Sequence, residues 1–181
     1  MARALLLIDI QNDYFAGGTM ELVGLDQAVS NAARVLAAFR ADGAARFHVQ
    51  HLAAHKEAGF FLPGTPGAEI HQTVVPRVGE TVTQKHFPNA FRATALAAAL
   101  QQSAIDERVV VGAMSPMCID ASVRAAFDLG FTATVVADAC ATRDLSFGGN
   151  PLKARDVHGA FMAALGSVYA RVVTTDVLLG A

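Results

Sequence analysis

The stretch ERVVVGAMSPMCIDASVRAAFDLG, residues 107–130, decides the fold that the sequence predicts. Its apolar run, Val109–Val111, ends at a glycine and a short linker. Apolar residues then recur at helical spacing over residues 119–127. This pattern predicts a buried strand, a tight turn and a helix. Cys118 falls at or near the first turn of that helix, at the carboxyl edge of the predicted sheet, where open α/β sheets bind their ligands.

Two interpretations of Cys118 are open from this stretch alone. The exposed N–H groups and the positive dipole at a helix N-terminus make a thiol easier to ionise, and the thiolate is the nucleophile. A free cysteine is also commonly a small buried residue that packs a helix onto a sheet and does no chemistry. Two other stretches of the chain bear on this choice.

Length and composition are those of a globular α/β protein. The chain has 181 residues, of which 53% are hydrophobic and 17% charged, so a disordered chain is excluded. We expect a single domain over residues 1–181, since no linker or repeat interrupts the pattern. The formal net charge is −2 without a basic stripe, and no run of about eighteen apolar residues lacks a charge. We therefore expect neither a nucleic-acid partner nor a membrane span.

The cysteine count and the N-terminus bear on the cellular compartment. Two cysteines, Cys118 and Cys140, do not make a disulfide framework, so we expect a reduced, cytoplasmic protein. Residues 1–9 carry one basic residue and an apolar run, as a short signal peptide would. The run is brief and meets Asp9 at once, so we interpret it as the first buried strand.

The predicted elements are strands and helices in alternation. The strands are predicted at residues 3–9, 45–51, 80–85, 109–111, 132–137 and 170–174, and the helices at 25–41, 93–102, 119–130 and 153–165. This order predicts an α/β fold with a mostly parallel sheet, doubly wound as three αβα layers. Residues 52–79 contain five Gly and Pro residues in their middle, which excludes long regular elements. Residues 60–62 of this segment are apolar, which argues against disorder, so we expect a lid or a pocket wall.

Three chemically reactive residues end or follow predicted strands. They are Asp9, Lys85 and Cys118, and in a doubly wound sheet such strand ends share one edge. A carboxylate near the sulfur can take its proton, and an ammonium favours the thiolate. The thiolate can then attack a carbonyl carbon while the carboxylate returns the proton to the leaving group. Backbone N–H groups of the turn can stabilise the resulting oxyanion.

These stretches resemble the isochorismatase-like cysteine hydrolases. Residues 9–14, Asp-Ile-Gln-Asn-Asp-Tyr, resemble the first motif of that family. Lys85 with Asn-Ala-Phe at 89–91 resembles the second, and residues 112–119, Gly-Ala-Met-Ser-Pro-Met-Cys-Ile, resemble the third. The resemblance runs over nearly the whole chain, and three motifs in the right order are specific where one alone would be weak.

The resemblance implies a six-stranded parallel sheet and a catalytic triad. The triad transfers to Asp9 as the base, Lys85 as the electrostatic partner and Cys118 as the nucleophile. It also implies a non-proline cis peptide before the residue that matches the family's Thr, here Met114–Ser115. The N–H groups of Met114 and Cys118 are then expected to form the oxyanion hole. A homodimer or larger homo-oligomer is a further expectation from the family.

The expected substrate is a small molecule, in a pocket formed by a few polar and apolar side chains. The candidate pocket residues are Gln11, Phe15, His51, Phe60 and Ser115. Residues 52–79 and loops of a neighbouring subunit are expected to set the identity of the substrate.

No metal or other cofactor is expected. Nicotinamidases of the family bind a metal through an Asp-x-His pair, but here Val49 stands where the Asp should be, two residues before His51. His51, His55 and His71 could still bind a metal, since imidazole is a common ligand, but their spacing does not match a zinc signature. We interpret His71 as structural or as part of a subunit interface.

The expected function is hydrolysis of an amide-type or carbamoyl-type C–N bond through a covalent thioester. One alternative is a vinyl-ether hydrolase of the isochorismatase type; such members often lack the cysteine, so Cys118 favours amide hydrolysis. Another is a non-catalytic or redox relative, with Cys118 and Cys140 as a thiol pair. A nucleotide-binding module is disfavoured because neither GxGxxG nor GxxxxGK[ST] occurs in the chain.

Overall fold

The computed structural model describes residues 2–103 and 105–180, and these form a six-stranded parallel sheet with helices on both faces. The strands are β1 (Arg3–Ile8), β2 (Ala45–His51), β3 (Thr81–Lys85), β4 (Glu107–Ala113), β5 (Thr132–Ala141), β6 (Leu145–Phe147), β7 (Asn150–Leu152) and β8 (Arg171–Val173). The helices are α1 (Leu25–Ala41), α2 (Leu96–Gln102), α3 (Asp120–Asp128), α4 (Ala154–Val168) and α5 (Thr175–Leu179). The order in the sheet is β3-β2-β1-β4-β5-β8, which confirms the predicted fold class.

Two apolar cores cover the two faces of the sheet, because successive side chains of a strand point to opposite faces. In β1, Leu5 and Leu7 belong to the core beneath α1, whereas Leu6 and Ile8 belong to the core beneath α2, α3 and α4. Both faces of the central strands are therefore buried, which explains why their sequences are continuous apolar runs rather than alternating ones.

The order of the strands reverses between β1 and β4, which are neighbours at the centre of the sheet. The chain leaves β1 toward β2 on one side, and the strands after β4 continue on the other side. In open α/β sheets the crevice beyond the carboxyl ends at this point is the usual ligand site. Asp9 follows β1 and the turn with Cys118 follows β4, so both lie at this crevice.

The predicted boundaries agree with the structure where the apolar periodicity is strong. Helix α1 and strand β2 have the predicted limits, whereas α2 begins three residues later than expected. Ala93 has a positive φ of 56°, which is incompatible with a regular helix at that residue. Within the described residues no helix has both the length and the apolar character that a bilayer span requires.

Strand β5 continues four residues beyond its predicted end at 137. Asp138 interrupts the apolar run, but its Oδ1 accepts hydrogen bonds from the N–H and the hydroxyl of Thr175, at 2.7 and 2.9 Å. The pairing with β4 resumes after an irregularity, with Gly112 opposite Cys140. The residues after 138, expected in a polar loop, are thus partly in the sheet.

A two-stranded antiparallel ribbon, formed by β6 and β7, was not predicted. Its turn contains Gly148 and Gly149, both with positive φ, at 57° and 80°. A Gly-Gly pair between two short runs is a recognised hairpin signal, so the sequence carried the information.

Candidate active site

The ends of four neighbouring strands bring the site residues together. Asp9 follows β1, His51 is the last residue of β2, Lys85 is the last residue of β3, and Cys118 lies in the turn after β4. His51 and Lys85 are paired in register. Because β3 and β1 are separated by β2, their backbones are about 10 Å apart. The long side chain of Lys85 can therefore extend from β3 to Asp9, and it passes His51 of β2.

The Lys85 ammonium contacts three acceptors. Its Nζ lies 2.7 Å from Asp9 Oδ2, 2.9 Å from His51 Nδ1 and 3.3 Å from Cys118 Sγ. An ammonium can only donate, so the contacts with His51 and Cys118 are hydrogen bonds from Lys85, and the contact with Asp9 is an ion pair. The predicted set of Asp9, Lys85 and Cys118 is thus in direct contact, with His51 as a fourth member.

The three predicted residues are almost entirely removed from water. Asp9 and Lys85 are 0% and 1% exposed, and Cys118 is 4% exposed. Burial raises the pKa of Asp9, and the charge of Lys85 opposes this rise. A buried carboxylate requires a partner, and Lys85 supplies the opposite charge. A substrate reaches the sulfur only when the groups that cover it move.

The thiol of Cys118 is harder to ionise than the sequence suggested. Burial raises its pKa well above the ordinary value of 9.0, the Asp9 charge raises it further, and Lys85 only partly opposes both. The expectation of an easily ionised thiol was wrong, because desolvation of the thiolate outweighs the ammonium and the turn. The sulfur is therefore protonated at neutral pH, with a carboxylate oxygen of Asp9 within 4.8 Å of it.

His51 is neutral and held in one orientation. Burial and the adjacent Lys85 charge lower its pKa to about 4. Because the ammonium can only donate, Nδ1 of His51 is the acceptor and the ring hydrogen is on Nε2. The backbone of His51 is held by Gln11, whose Oε1 accepts from its N–H at 2.7 Å and whose Nε2 donates to its carbonyl oxygen at 2.8 Å.

The turn that carries Cys118 is a single π-helical turn, Ser115–Ile119, which leads directly into α3. The carbonyl oxygen of Met114 accepts from the N–H groups of Met117 and Ile119, at 3.0 and 3.2 Å. The cis peptide bond is Ala113–Met114, so the predicted position at Met114–Ser115 was wrong by one residue. The cis peptide therefore contains the N–H of Met114, and its role with that of Cys118 in an oxyanion hole stays a prediction.

Gly112 allows this turn to follow the sheet closely. Its φ of 127° is in the region that side chains rarely adopt, and a Cβ there would overlap the carbonyl oxygen of Ile8. The close approach keeps β4 against β1 at the point where the two strands deliver Cys118 and Asp9.

Aromatic rings form a wall beside His51. Phe60 and Phe61 lie 6.4 and 5.8 Å from the His51 ring, and Tyr14 packs on Phe61 at 4.6 Å. Burial is the main cause that raises the pKa of Tyr14 well above its ordinary value of 10.0. Phe60 is therefore beside His51, and its role in a substrate pocket stays a prediction, while Tyr14 was not predicted as a site residue.

The segment after β2 also lines an open cleft of about 430 Å³. The cleft is formed by two short pieces of this segment, residues 53–56 and 62–65, and Cys118 does not line it. The expectation that residues 52–79 form a lid or a pocket wall of the site stays a prediction.

Asp13 fixes the aromatic wall by capping backbone N–H groups of two loops. Its Oδ2 accepts from the N–H of Phe61 at 2.6 Å, and its Oδ1 accepts from the N–H of Thr19 at 3.4 Å. A Cβ on Gly67 would overlap this carboxylate, so the loop approaches it as closely as a glycine allows.

Three predicted pocket residues have other contacts. The side-chain amide of Gln11 is used by His51 and by the carbonyl oxygen of Ala68, at 2.7 Å for the latter. Phe15 stacks on His71, with ring centroids 3.7 Å apart. The hydroxyl of Ser115 lies 2.7 Å from His158 Nδ1 and 3.3 Å from the carbonyl oxygen of Ala141. Their roles in a substrate pocket stay predictions.

The residues present do not fit the metal site of the nicotinamidases. Among the described residues, the one cluster of three metal-ligand types is Asp9, His51 and Cys118, and Lys85 contacts all three. A cation there would meet the ammonium. His55 and His71 are not part of any such cluster in the described ranges.

Comparison with known proteins shows the family. The isochorismatase domain model matches residues 3–176. The isochorismatase family protein YddQ of Bacillus subtilis is 51% identical over 179 residues, with 99% of each chain covered. The maleamate amidohydrolase of Pseudomonas putida is 30% identical over 185 aligned residues, 94% of this chain and 82% of its own. A crystal structure of an isochorismatase-family protein from Oleispira antarctica superposes with a TM-score of 0.95 at 49% identity, covering 99% of this chain and 97% of that one. The chain therefore belongs to the isochorismatase family of hydrolases.

Proposed function

We propose that this protein is a cysteine amidohydrolase that cleaves an amide-type or carbamoyl-type C–N bond of a small molecule through a thioester on Cys118. The observation that carries the proposal is the contact of one ammonium, Lys85 Nζ, with a carboxylate oxygen, a thiol sulfur and an imidazole nitrogen. A nucleophile next to a base whose partner holds it in place is the arrangement that covalent hydrolysis requires.

The raised pKa of Cys118 determines how the first step proceeds. The sulfur starts as a thiol, so its proton passes to Asp9 as Sγ attacks the carbonyl carbon. The C–N bond then breaks, the proton moves from Asp9 to the departing nitrogen, and a thioester remains on Cys118. Water, deprotonated by Asp9, attacks the thioester carbon; the product leaves as a carboxylic acid and the thiol is restored.

Lys85 has the same role in every step of this reaction. Its positive charge faces a carboxylate at rest and a developing thiolate during attack, both in a site with little water. An ion of fixed position in such an environment stabilises the transferred negative charge more strongly than it would in solvent. The ammonium therefore balances one negative charge, whether it resides on Asp9 or on Cys118.

A relative supports amide hydrolysis over other hydrolytic chemistry. The maleamate amidohydrolase named above aligns over 94% of this chain. The presence of Cys118 also disfavours the vinyl-ether alternative. Two observations disfavour the redox alternative. Both cysteines are buried free thiols, and burial raises the pKa of Cys140 to about 12.

The proposal is tested by a screen of small carboxamides, carbamates and ureides with the wild-type protein and with Cys118→Ala. We expect turnover of at least one compound by the wild type and none by the variant. A thioester adduct of the substrate on Cys118, seen by intact mass after rapid acid quench, would support the covalent step. Circular dichroism of Cys118→Ala confirms that the fold is retained.

Turnover that persists in Cys118→Ala would overturn the proposal. The cofactor and homo-oligomer expectations can be examined with the same material. Activity that survives dialysis against a chelator supports the absence of a metal requirement. The predicted homo-oligomer is tested by light scattering during size-exclusion chromatography.

A further inference from the structure

Helix α4 is joined to the nucleophile turn by one buried hydrogen-bond chain. His158 on α4 approaches Ser115, the first residue of the π-helical turn, with 2.7 Å between Nδ1 and Oγ. The same Oγ lies 3.3 Å from the carbonyl oxygen of Ala141, the last residue of β5. Ser115 is fully buried and His158 is half-buried. The hydroxyl thus connects three separate elements of the fold.

One arrangement of hydrogens gives every group of this hydrogen-bond chain a partner. Ser115 has one hydroxyl hydrogen, and the carbonyl oxygen of Ala141 can only accept. When Ser115 donates to Ala141, Nδ1 of His158 must carry the hydrogen that completes the 2.7 Å contact. The chain then runs from His158 Nδ1–H to Ser115 Oγ–H to Ala141, and every polar group in it has a partner.

The hydrogen-bond chain holds the turn at a residue between Met114 and Cys118. Ser115 follows Met114, whose N–H is predicted in the oxyanion hole, and precedes Cys118 by three residues. Ala141 is paired with Ala113 in the sheet, so its carbonyl oxygen is a rigid anchor. His158 adds a second anchor from the helix that packs against the turn.

We propose that His158 is a positioning residue that, through Ser115, holds the turn bearing Cys118 in the geometry for attack. This inference rests on the proposed amidohydrolase function, because attack by Cys118 is the step it serves. His158 does not contact Asp9, Lys85 or Cys118 among the hydrogen bonds of the described residues. Its effect therefore passes only through the backbone of the turn.

Displacement of a reacting atom by about 1 Å can slow attack by about 100-fold. In His158→Gln we expect kcat to fall by about 10- to 100-fold. KM should change by less than about twofold, since no contact with substrate is removed.

Two amide variants separate positioning from simple packing. The side-chain nitrogen of Asn reaches the position of histidine Nδ1, whereas that of Gln reaches the position of Nε2. His158→Asn can therefore donate to Ser115 and His158→Gln cannot. We expect His158→Asn to retain most of kcat while His158→Gln loses it, although both remove the same ring.

Leu165→Val is the control for effects of lost stability. Leu165 is fully buried and lies two turns after His158 on α4. This change weakens the packing of α4 but leaves His158 and Ser115 in place. We expect it to lower the melting temperature at least as much as His158→Gln does, with kcat unchanged. A fall in kcat that follows the melting temperature across all three variants would overturn the proposal.

A substrate-independent readout separates this proposal from the proposed function. The rate at which iodoacetamide labels Cys118 reports how firmly the turn is held. We expect labelling to be severalfold faster in His158→Gln than in wild type, and near the wild-type rate in His158→Asn. If wild type hydrolyses no amide, the proposed function fails while this pattern still supports the anchor. Equal labelling rates in the Asn and Gln variants would overturn it.

Discussion

The side chain of Gln11 makes two hydrogen bonds to the backbone of His51, one to its N–H at 2.7 Å and one to its carbonyl oxygen at 2.8 Å. His51 ends β2, where the ladder with β1 no longer satisfies these groups, so Gln11 continues the pairing beyond the last residue of β1. The imidazole that touches Lys85 is placed by this amide.

Replacement of Gln11 by Ala should therefore be costly for folding. It leaves the N–H and the carbonyl oxygen of His51 without this side-chain partner, whereas the carbonyl oxygen of Ala68 keeps its hydrogen bond from Gln50 Nε2 at 2.9 Å. We expect the free energy of unfolding to fall by about 2–4 kcal/mol. Urea denaturation followed by circular dichroism measures it. Gln27→Ala, at an exposed residue of α1, is the matched control and should change stability by less than about 0.5 kcal/mol.

The ion pair between Lys85 and Asp9 should show strong coupling in a double-mutant cycle. Lys85→Met leaves a buried carboxylate without its counter-charge and should lower the free energy of unfolding by about 3–5 kcal/mol at pH 7. Adding Asp9→Asn removes that charge, so the double variant should be more stable than Lys85→Met alone. Thermal and urea unfolding of the four proteins give the coupling energy. Additivity to within about 0.5 kcal/mol would contradict a coupled pair.

The pH dependence of Lys85→Met has a defined sign. The folded-state pKa of Asp9 is raised above its ordinary value of 3.8, and removal of Lys85 raises it further. The folded protein then binds the proton more tightly than the unfolded chain does. The difference in free energy of unfolding between wild type and Lys85→Met should therefore shrink as the pH falls toward 3.8. Unfolding curves at several pH values can measure it.

The thiol of Cys118 should react slowly with alkylating agents at neutral pH. Its pKa is raised above 9.0, so labelling by iodoacetamide at pH 7.5 should be about tenfold or more slower than that of a free cysteine. In Asp9→Asn the charge that helps to raise this pKa is absent, so labelling should be faster although hydrolysis is lost. Intact mass spectrometry follows both.

Cys118→Ala is the control for this experiment. Cys140 is buried with a pKa of about 12, so the variant should show almost no label. Slower labelling in Asp9→Asn than in wild type would mean that the carboxylate assists ionisation of the resting thiol. That result would contradict the charge balance described for the site.

The sequence predicted the centre of the site because each reactive residue is marked locally. Asp9 follows an apolar run, Lys85 ends a strand of alternating type, and Cys118 follows the apolar run Val109–Val111. Strand alternation then places all three on one edge, without any knowledge of the loops. The distances among them, and the pKa of the thiol, depend on how completely the site excludes water, which a linear pattern does not contain.

The contacts that sequence reasoning missed are those made over long separations. Ser115 and His158 are 43 residues apart, and nothing near His158 in a helix of mixed composition distinguishes it from a surface residue. The end of β5 was missed for a different reason. Asp138 resembles a strand end, but Thr175, 37 residues later, satisfies its carboxylate. Such pairs become visible only when the packing of α4 and α5 is known.

A second buried ionic cluster, at the amino end of β3, should govern acid stability. The Glu80 carboxylate accepts from both Nε and Nη2 of Arg40 at 2.8 Å, and from Nε2 of His48 at 2.9 Å. Arg46 Nε adds an ion pair at 3.1 Å. The hydrogen bonds from Arg40 hold the pKa of Glu80 well below its ordinary value of 4.5, while burial lowers the pKa of His48 below 6.5.

Both shifts act in the same direction as the pH falls. Glu80, with a depressed pKa, contributes stability above pH 4.5 and loses that contribution as the folded state is protonated. His48 binds a proton more readily in the unfolded chain, so acidification through 6.5 also favours unfolding. We expect Glu80→Gln to lower the free energy of unfolding by about 3–5 kcal/mol at pH 7 and to flatten its decline below pH 4.5, where the Glu80 of the unfolded chain takes up a proton before that of the folded protein.

The matched control for this cluster is Glu57→Gln, at an exposed residue, which should leave the curve of stability against pH unchanged. Curves for Glu80→Gln and wild type that run parallel below pH 4.5 would contradict the assignment. Glu80 lies at the opposite end of β3 from Lys85, so the labelling rate of Cys118 should be the same in Glu80→Gln as in wild type wherever both are folded. Acid sensitivity of the fold and reactivity of the site would then be separable properties of one strand.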